Sequence, residues 1–259
     1  MNTTTLRVSA LQFNLVWEDK VANIQAIEKF WNELPADRHL VVLPEMFSTG
    51  FSMRPSEFAE TMDGATVQWM RKKALKFGVY IAGSLIIEVE GSYYNRLICV
   101  TPLGEIMHYD KRHLFSMAGE EQYYNAGKSR DCWNILGWRI LPQICYDLRF
   151  PVWSRNDQDY DAVLYPANWP ERRNEAWKTL LRARSIENQA YVVGVNRVGL
   201  DGNDVDHSGD SVILSPLGAA LSELKPHQQG WLHAEWKREE LDHVRKAFPF
   251  LRDRDVFSV

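Results

Sequence analysis

The sequence predicts an α/β layered protein, on three observations. Short apolar runs of strand length recur along the chain, and segments with apolar residues at helical spacing lie between them. Two neighbouring runs, 79–86 and 94–101, sit close enough to pair as a hairpin, so the sheet is partly antiparallel.

The elements follow in order. Residues 6–13 read as a first strand. Across 23–34, Ile24, Ile27, Phe30, Trp31 and Leu34 share one face of a helix. HLVVLPEMF, 39–47, is a buried-strand run that Pro44 stops. Residues 67–77 read as a helix with Gly78 as its C-cap. VYIAGSLI and YNRLICVT form the strand pair, and 134–145 holds two short strands around Gly137. Residues 161–165 are another strand. The clearest helix runs over 173–189, where Trp177, Leu180, Leu181 and Ile186 make an apolar stripe among charges. YVVGVNRV, SVILSP and 231–236 read as strands, and 238–248 as a helix.

With 259 residues the chain is long enough for a large core, and no change of composition marks a boundary, so one domain over 1–259 is expected. A net charge of −4, without a basic run, argues against a nucleic-acid partner. No apolar stretch approaches the ~20 residues of a membrane span, and the N-terminus lacks the pattern of a signal peptide. Cys99, Cys132 and Cys145 are odd in number and lack CxxC spacing. They therefore read as free thiols in a reducing compartment, with cytoplasm the default.

No Walker loop, GxGxxG, GxSxG or HExxH is present. His108 and His113 lie across a predicted loop and make a poor metal pair. DVDHSGD from Asp204 opens like a calcium loop, but its twelfth position is Ser215 rather than glutamate, so it reads as an acidic surface turn. No metal and no cofactor is expected.

Three polar residues stand instead where apolar runs end: Glu45 after LVVLP, Lys111 in HYDKRHLF and Cys145 after ILPQI. In an α/β fold, such strand ends converge on one rim of the sheet. Alone, each has a plain structural reading: a solvated carboxylate, a surface charge, a small buried hydrophobe. Together their chemistries complete one another. A cysteine nucleophile needs a base and an electropositive surround. A carboxylate can take its proton and return it to a leaving amine. A lysine can hold an oxyanion. A cysteine–histidine pair is the alternative, but none of the 7 histidines has a comparably specific context.

FNLVWEDKVANI, LPEMFSTGF, YDKRHLF, ICYDLRFP, RSIENQAYVVGVNRVG and GDSVILSPLG occur in the order found in the nitrilase superfamily of carbon–nitrogen hydrolases. The resemblance extends from near residue 6 to the FPFLRDR tail. It implies a four-layer α-β-β-α sandwich, subunits paired as homodimers, metal-free amide hydrolysis through a thioester, and a catalytic set at Glu45, Lys111 and Cys145. A second glutamate of the family matches Glu120 in EEQYYNAG, with Glu121 the alternative register. The backbone N–H of Tyr146 is expected to assist Lys111 at the oxyanion.

Tyr146-Asp147 replaces the Trp-Glu that follows the cysteine in many nitrilases, which favours an amide over a nitrile. CYDLRF is similar to the motif of ω-amidases, which hydrolyse the terminal amide of 2-oxoglutaramate and related acids. Such substrates carry a carboxylate that a guanidinium can grip, and Arg149 is the first candidate, with Arg172 or Arg173 as contributors. Asn168 and Trp169 in PANWPERR, and Phe47 and Phe51 beyond Glu45, are expected to wall the pocket. Rival readings are another amidase of the family, acting on a carbamoyl group, an aliphatic amide or deaminated glutathione; an acyl transferase; or an inactive binding protein on the same fold.

Overall fold

The computed structural model describes residues 2–256. The strands are β1 (Thr5–Gln12), β2 (Leu40–Val42), β3 (Tyr80–Val89), β4 (Ser92–Val100), β5 (Ile106–Asp110), β6 (Trp133–Ile135), β7 (Trp138–Pro142), β8 (Ala162–Ala167), β9 (Tyr191–Asn196), β10 (Val212–Leu214), β11 (Ala220–Glu223) and β12 (Gly230–Lys237). The α-helices are α1 (Lys20–Trp31), α2 (Pro55–Phe58), α3 (Ala65–Phe77), α4 (Pro151–Ser154), α5 (Asn174–Asn188) and α6 (Arg238–Ala247).

Two six-stranded sheets form, in the orders β12-β1-β2-β3-β4-β5 and β11-β10-β9-β8-β7-β6. Each has a parallel centre, β1-β2-β3 in one and β7-β8-β9 in the other, flanked by antiparallel strands. The strands of the first sheet are apolar on both faces, as expected when both are covered. Leu6, Val8, Ala10, Leu40, Val42, Leu97 and Cys99 pack inward against β7, β8 and β9. Their neighbours Leu11, Val41, Ile81, Ile98 and Val100 pack outward against Ile27 and Trp31 of α1 and Val67, Met70 and Ala74 of α3. Trp177 and Leu181 of α5 and Leu241 of α6 cover the second sheet. The layers are α-β-β-α.

The expected elements are present, with shifted ends. The first helix starts at Lys20, where the Asp19 side chain accepts the Ala22 N–H at 2.9 Å. Gly78 adopts a left-handed conformation and ends α3. The hairpin pairs Ile86 with Asn95. The predicted loop before Lys111 contains β5, a strand that alternation did not reveal because only Tyr109 of its five residues is buried. The 204–210 run is not a surface turn throughout, because His207, Ser208 and Asp210 are buried. Among the described residues, no helix is long and apolar enough to cross a membrane.

Candidate active site

Glu45 lies just beyond β2, Lys111 just beyond β5, Cys145 just beyond β7 and Asn168 just beyond β8. The first two hang from one sheet and the last two from the other, so docking the sheets brings them together.

The backbone is bent sharply at two of these points. Met46, directly after Glu45, has φ 44°, and Cys145 itself has φ 43°. Neither is glycine, so each left-handed residue costs on the order of 1 kcal/mol or more and persists only because its surroundings hold it. At Met46, the N–H donates to Ser84 Oγ at 2.8 Å. At Cys145, Asp147 accepts the Ile144 N–H at 3.0 Å and closes the turn. Arg184 Nη2, from α5, donates to the Leu148 carbonyl at 2.7 Å.

Glu45, Lys111 and Glu120 are fully buried, and Cys145 is 8% exposed. Lys111 Nζ donates to Glu45 Oε1 at 2.9 Å and to Glu120 Oε1 and Oε2 at 3.1 and 2.9 Å. Asn95 Nδ2 bridges the carboxylates, donating to Glu45 at 2.8 Å and to Glu120 at 3.3 Å. Asn168 N–H donates to Glu45 Oε2 at 2.8 Å, and its Nδ2 donates to the Glu45 carbonyl at 2.6 Å. The Phe115 N–H donates to Glu120 at 2.5 Å. Buried charges of this kind are tolerable only when paired and hydrogen-bonded, as these are.

Burial and then the adjacent Glu45 carboxylate push the Cys145 thiol well above its ordinary range; Lys111 opposes them. Burial alone would lower the Lys111 ammonium, but Glu120 and Glu45 outweigh it and hold the group raised. Burial also pushes the Glu120 carboxyl up against the pull of Lys111, and the Glu45 charge adds to the rise. The site therefore favours a protonated thiol and a charged ammonium. The Tyr146 N–H follows Cys145 in the turn and has no acceptor among the described residues.

Cys145 opens onto a cavity of about 340 Å³, at the small end of ligand sites. Tyr146, Arg149, Asn168, Trp169, Arg172 and Arg173 are among its lining, with Phe51 and Phe115. Most expected pocket residues are therefore brought to one place. Phe47 is not. It is fully buried in the outer layer, its ring 6.1 Å from that of Trp69 and seated on Gly83, where a Cβ would lie 2.7 Å from the ring. The left-handed turn at Met46 sends Phe47 to the α3 side of the sheet, so it anchors the Glu45 loop and does not wall the cavity. Of the two glutamates, Glu120 meets Lys111 and Glu121 is exposed.

Asn95 escaped the sequence reading. Its signal was a polar residue inside the apolar run YYNRLICV, where burial demands a partner. The nearest approach to a metal-ligand set among the described residues is Glu171, Asp206 and His227. These three lie outside the cavity lining, and their His–carboxylate contacts of 3.6 and 4.0 Å are those of a loose surface pair.

The model of the carbon-nitrogen hydrolase family matches residues 7–246. The chain is 47% identical over 254 residues to the ω-amidase YafV of Yersinia enterocolitica, covering 98% of each chain. It is 34% identical to a 2-oxoglutaramate amidase of Bacillus subtilis, covering 95% of this chain and 96% of that one. Among solved structures it resembles XC1258 of Xanthomonas campestris, a CN-hydrolase superfamily protein with an arsenic adduct in its active site. That likeness has a TM-score of 0.96 and 42% identity, covering 99% of this chain and 100% of the other.

Proposed function

The chain belongs to the carbon–nitrogen hydrolase family, and from that premise we propose that it hydrolyses the terminal amide of a small ω-amide carboxylic acid such as 2-oxoglutaramate, releasing ammonia. The observation that carries this reading is the meeting of Glu45, Lys111 and Cys145 under a small cavity walled by arginines. The relatives named ω-amidase and 2-oxoglutaramate amidase support the substrate class.

Glu45 takes the proton of Cys145, and the thiolate attacks the amide carbon. A base is needed because the raised thiol carries little thiolate at neutral pH. Lys111 and the Tyr146 N–H hold the oxyanion. Loss of one such donor typically costs about 3 kcal/mol of transition-state stabilisation. Glu45 then delivers its proton to the departing nitrogen, and ammonia leaves a thioester on Cys145. Glu45 next takes a proton from water, whose oxygen attacks the thioester. The thiolate departs, regains its proton from Glu45, and the acid leaves. Glu120 and Asn95 keep Lys111 and Glu45 aligned. Arg149 grips the far carboxylate of the substrate.

The chain is further proposed to work as a homodimer in the cytoplasm. Exposed Ile186, Leu217, Phe248 and Phe250 offer apolar surface for a second copy, and three free thiols suit a reducing compartment.

The test is ammonia release from a panel of ω-amides and neutral amides. Purified Cys145→Ala should be folded and inactive. Near-normal turnover by that variant would sink the mechanism. Preference for a neutral amide, with Arg149→Lys without effect, would sink the substrate class.

A further inference from the structure

Arg149, Arg172 and Arg173 all line the cavity onto which Cys145 opens. Among the described residues, none of the three pairs with a carboxylate, and none of their side chains donates a hydrogen bond within the protein. Arg96 and Arg238, by contrast, do both: Arg96 holds Asp110 at 2.6 and 2.8 Å, and Arg238 holds Asp161 at 2.7 Å. Arg172 is exposed to water, but Arg149 and Arg173 are partly buried, and two unpaired guanidinium groups in one cavity call for an anion from outside.

Two of the three are held by aromatic faces, which leave their N–H donors free. Arg149 lies 4.9 Å above the Trp169 ring, and Trp169 is fixed by its Nε1 donating to the Arg173 carbonyl at 2.8 Å. Arg173 lies 5.0 Å above the Phe115 ring, which stands edge-on to Tyr146 at 5.0 Å. The two forks are thus presented from two separate plates into one space.

The other charged groups of the lining do not offset them. Asp201 accepts the N–H groups of Asn203 and Val205 at 2.7 and 3.0 Å, and its charge acts on the buried Arg197. Burial pushes His207 down to about 4, so it is neutral at neutral pH. Burial lowers Arg173, and the charges of Arg172 and Arg149 lower it further. The three cations crowd one another, and a bound anion relieves that repulsion while a bound cation adds to it.

Building on the ω-amidase reading, we propose that Arg149 and Arg173 form a two-point anion clamp and that Arg173 is the specificity-determining residue. One fork takes the substrate carboxylate bidentately, and the other takes an acceptor on the adjacent carbon. The clamp accepts an α-oxo acid and rejects the same carbon chain bearing an ammonium group at that carbon. The amide of a 2-oxo acid is thereby separated from glutamine, which shares its reacting end.

Binding and turnover test this separately. By titration calorimetry, the wild-type protein should bind 2-oxoglutarate at least tenfold tighter than L-glutamate. Arg173→Gln should erase most of that difference, and Arg173→Lys should keep part of it. In turnover, Arg173→Gln should raise KM for 2-oxoglutaramate at least tenfold with a kcat change below threefold. Its preference for 2-oxoglutaramate over a neutral amide should fall at least tenfold. Equal binding of 2-oxoglutarate and L-glutamate by the wild type overturns the clamp, even if ω-amides are hydrolysed. An equal loss on both substrates in Arg173→Gln overturns the specificity role. Selective 2-oxoglutarate binding without ω-amide turnover upholds the clamp and rejects the ω-amidase reading instead. If Arg173→Gln melts early, Arg173→Lys and the wild-type binding ratio decide.

Discussion

Asp147 accepts two hydrogen bonds from His113, one from the backbone N–H at 2.9 Å and one at Nδ1 at 2.8 Å. The same carboxylate accepts the Tyr109 hydroxyl at 2.8 Å and the Ile144 N–H at 3.0 Å. Tyr109 and His113 flank Lys111 two residues to either side, and Asp147 stands two residues after Cys145. One buried carboxylate therefore ties the lysine segment to the cysteine turn, and the ring of His113 is stacked on Phe150 of that turn at 3.7 Å. Asp147→Asn keeps the shape but turns one of the two acceptor oxygens into a donor facing other donors. It is expected to lower kcat at least tenfold with less change in KM and to cost about 1–3 kcal/mol of stability. Steady-state kinetics and denaturant melts check both.

Lys111 pairs with two carboxyl groups, Glu45 and Glu120, that have no access to water. Lys111→Met should abolish turnover and also destabilise the fold by about 3–5 kcal/mol, the usual result of stripping a buried charge of its partner. A lower melting temperature in a scan at neutral pH is the expected readout. An unchanged melting temperature would show that the carboxylates do not depend on it.

Cys145 and Lys111 are both raised, so the thiol and ammonium forms persist as pH rises through the neutral range. Iodoacetamide labelling of the Cys145 peptide, followed by mass spectrometry, should climb without a plateau through pH 9. A preformed thiolate would instead give a plateau near or below neutrality. Glu45→Gln removes the charge that, after burial, does most to raise the thiol. That variant should label faster than wild type at pH 8 while its turnover falls at least a thousandfold. Slower labelling would contradict the assigned electrostatics.

His207 is held down to about 4 by burial and by Arg197, against an ordinary value of 6.5. The folded state refuses a proton that the unfolded chain accepts below that ordinary value. Stability from this residue is therefore complete above pH 6.5 and is lost progressively as pH falls to 4. The loss amounts to about 3 kcal/mol. His207→Gln should flatten the slope of unfolding free energy over this window in urea titrations.

The parts of the site legible in sequence were those placed where strands end. Glu45 and Cys145 follow apolar runs, and Lys111 follows a strand that was itself invisible. β5 has a single buried side chain, so its hydrogen bonds to β4, and not its composition, make it a strand. Phe47 was misplaced because one left-handed residue reverses the side of the sheet a neighbour faces, and nothing in the letters MF marks Met46 as that residue. The choice between Glu120 and Glu121 turns on one residue of a short 3-10 turn, which periodicity cannot register. Asn95 was readable in principle, but its partners lie 25 and 50 residues away.

β12 pairs along its length with β1, from Thr5 opposite Lys237 to Gln12 opposite Gly230. A ribosome makes the two more than 200 residues apart, and it makes every strand of the second sheet between them. Throughout that interval the outer edge of β1 has no neighbour, and a bare strand edge invites pairing with other chains. Arg7 lies on that strand, and its guanidinium meets Asp37, made early, at 3.3 Å and Glu235, made late, at 3.2 Å. The strand that opens the first sheet thus waits through most of synthesis for the partner that closes its edge.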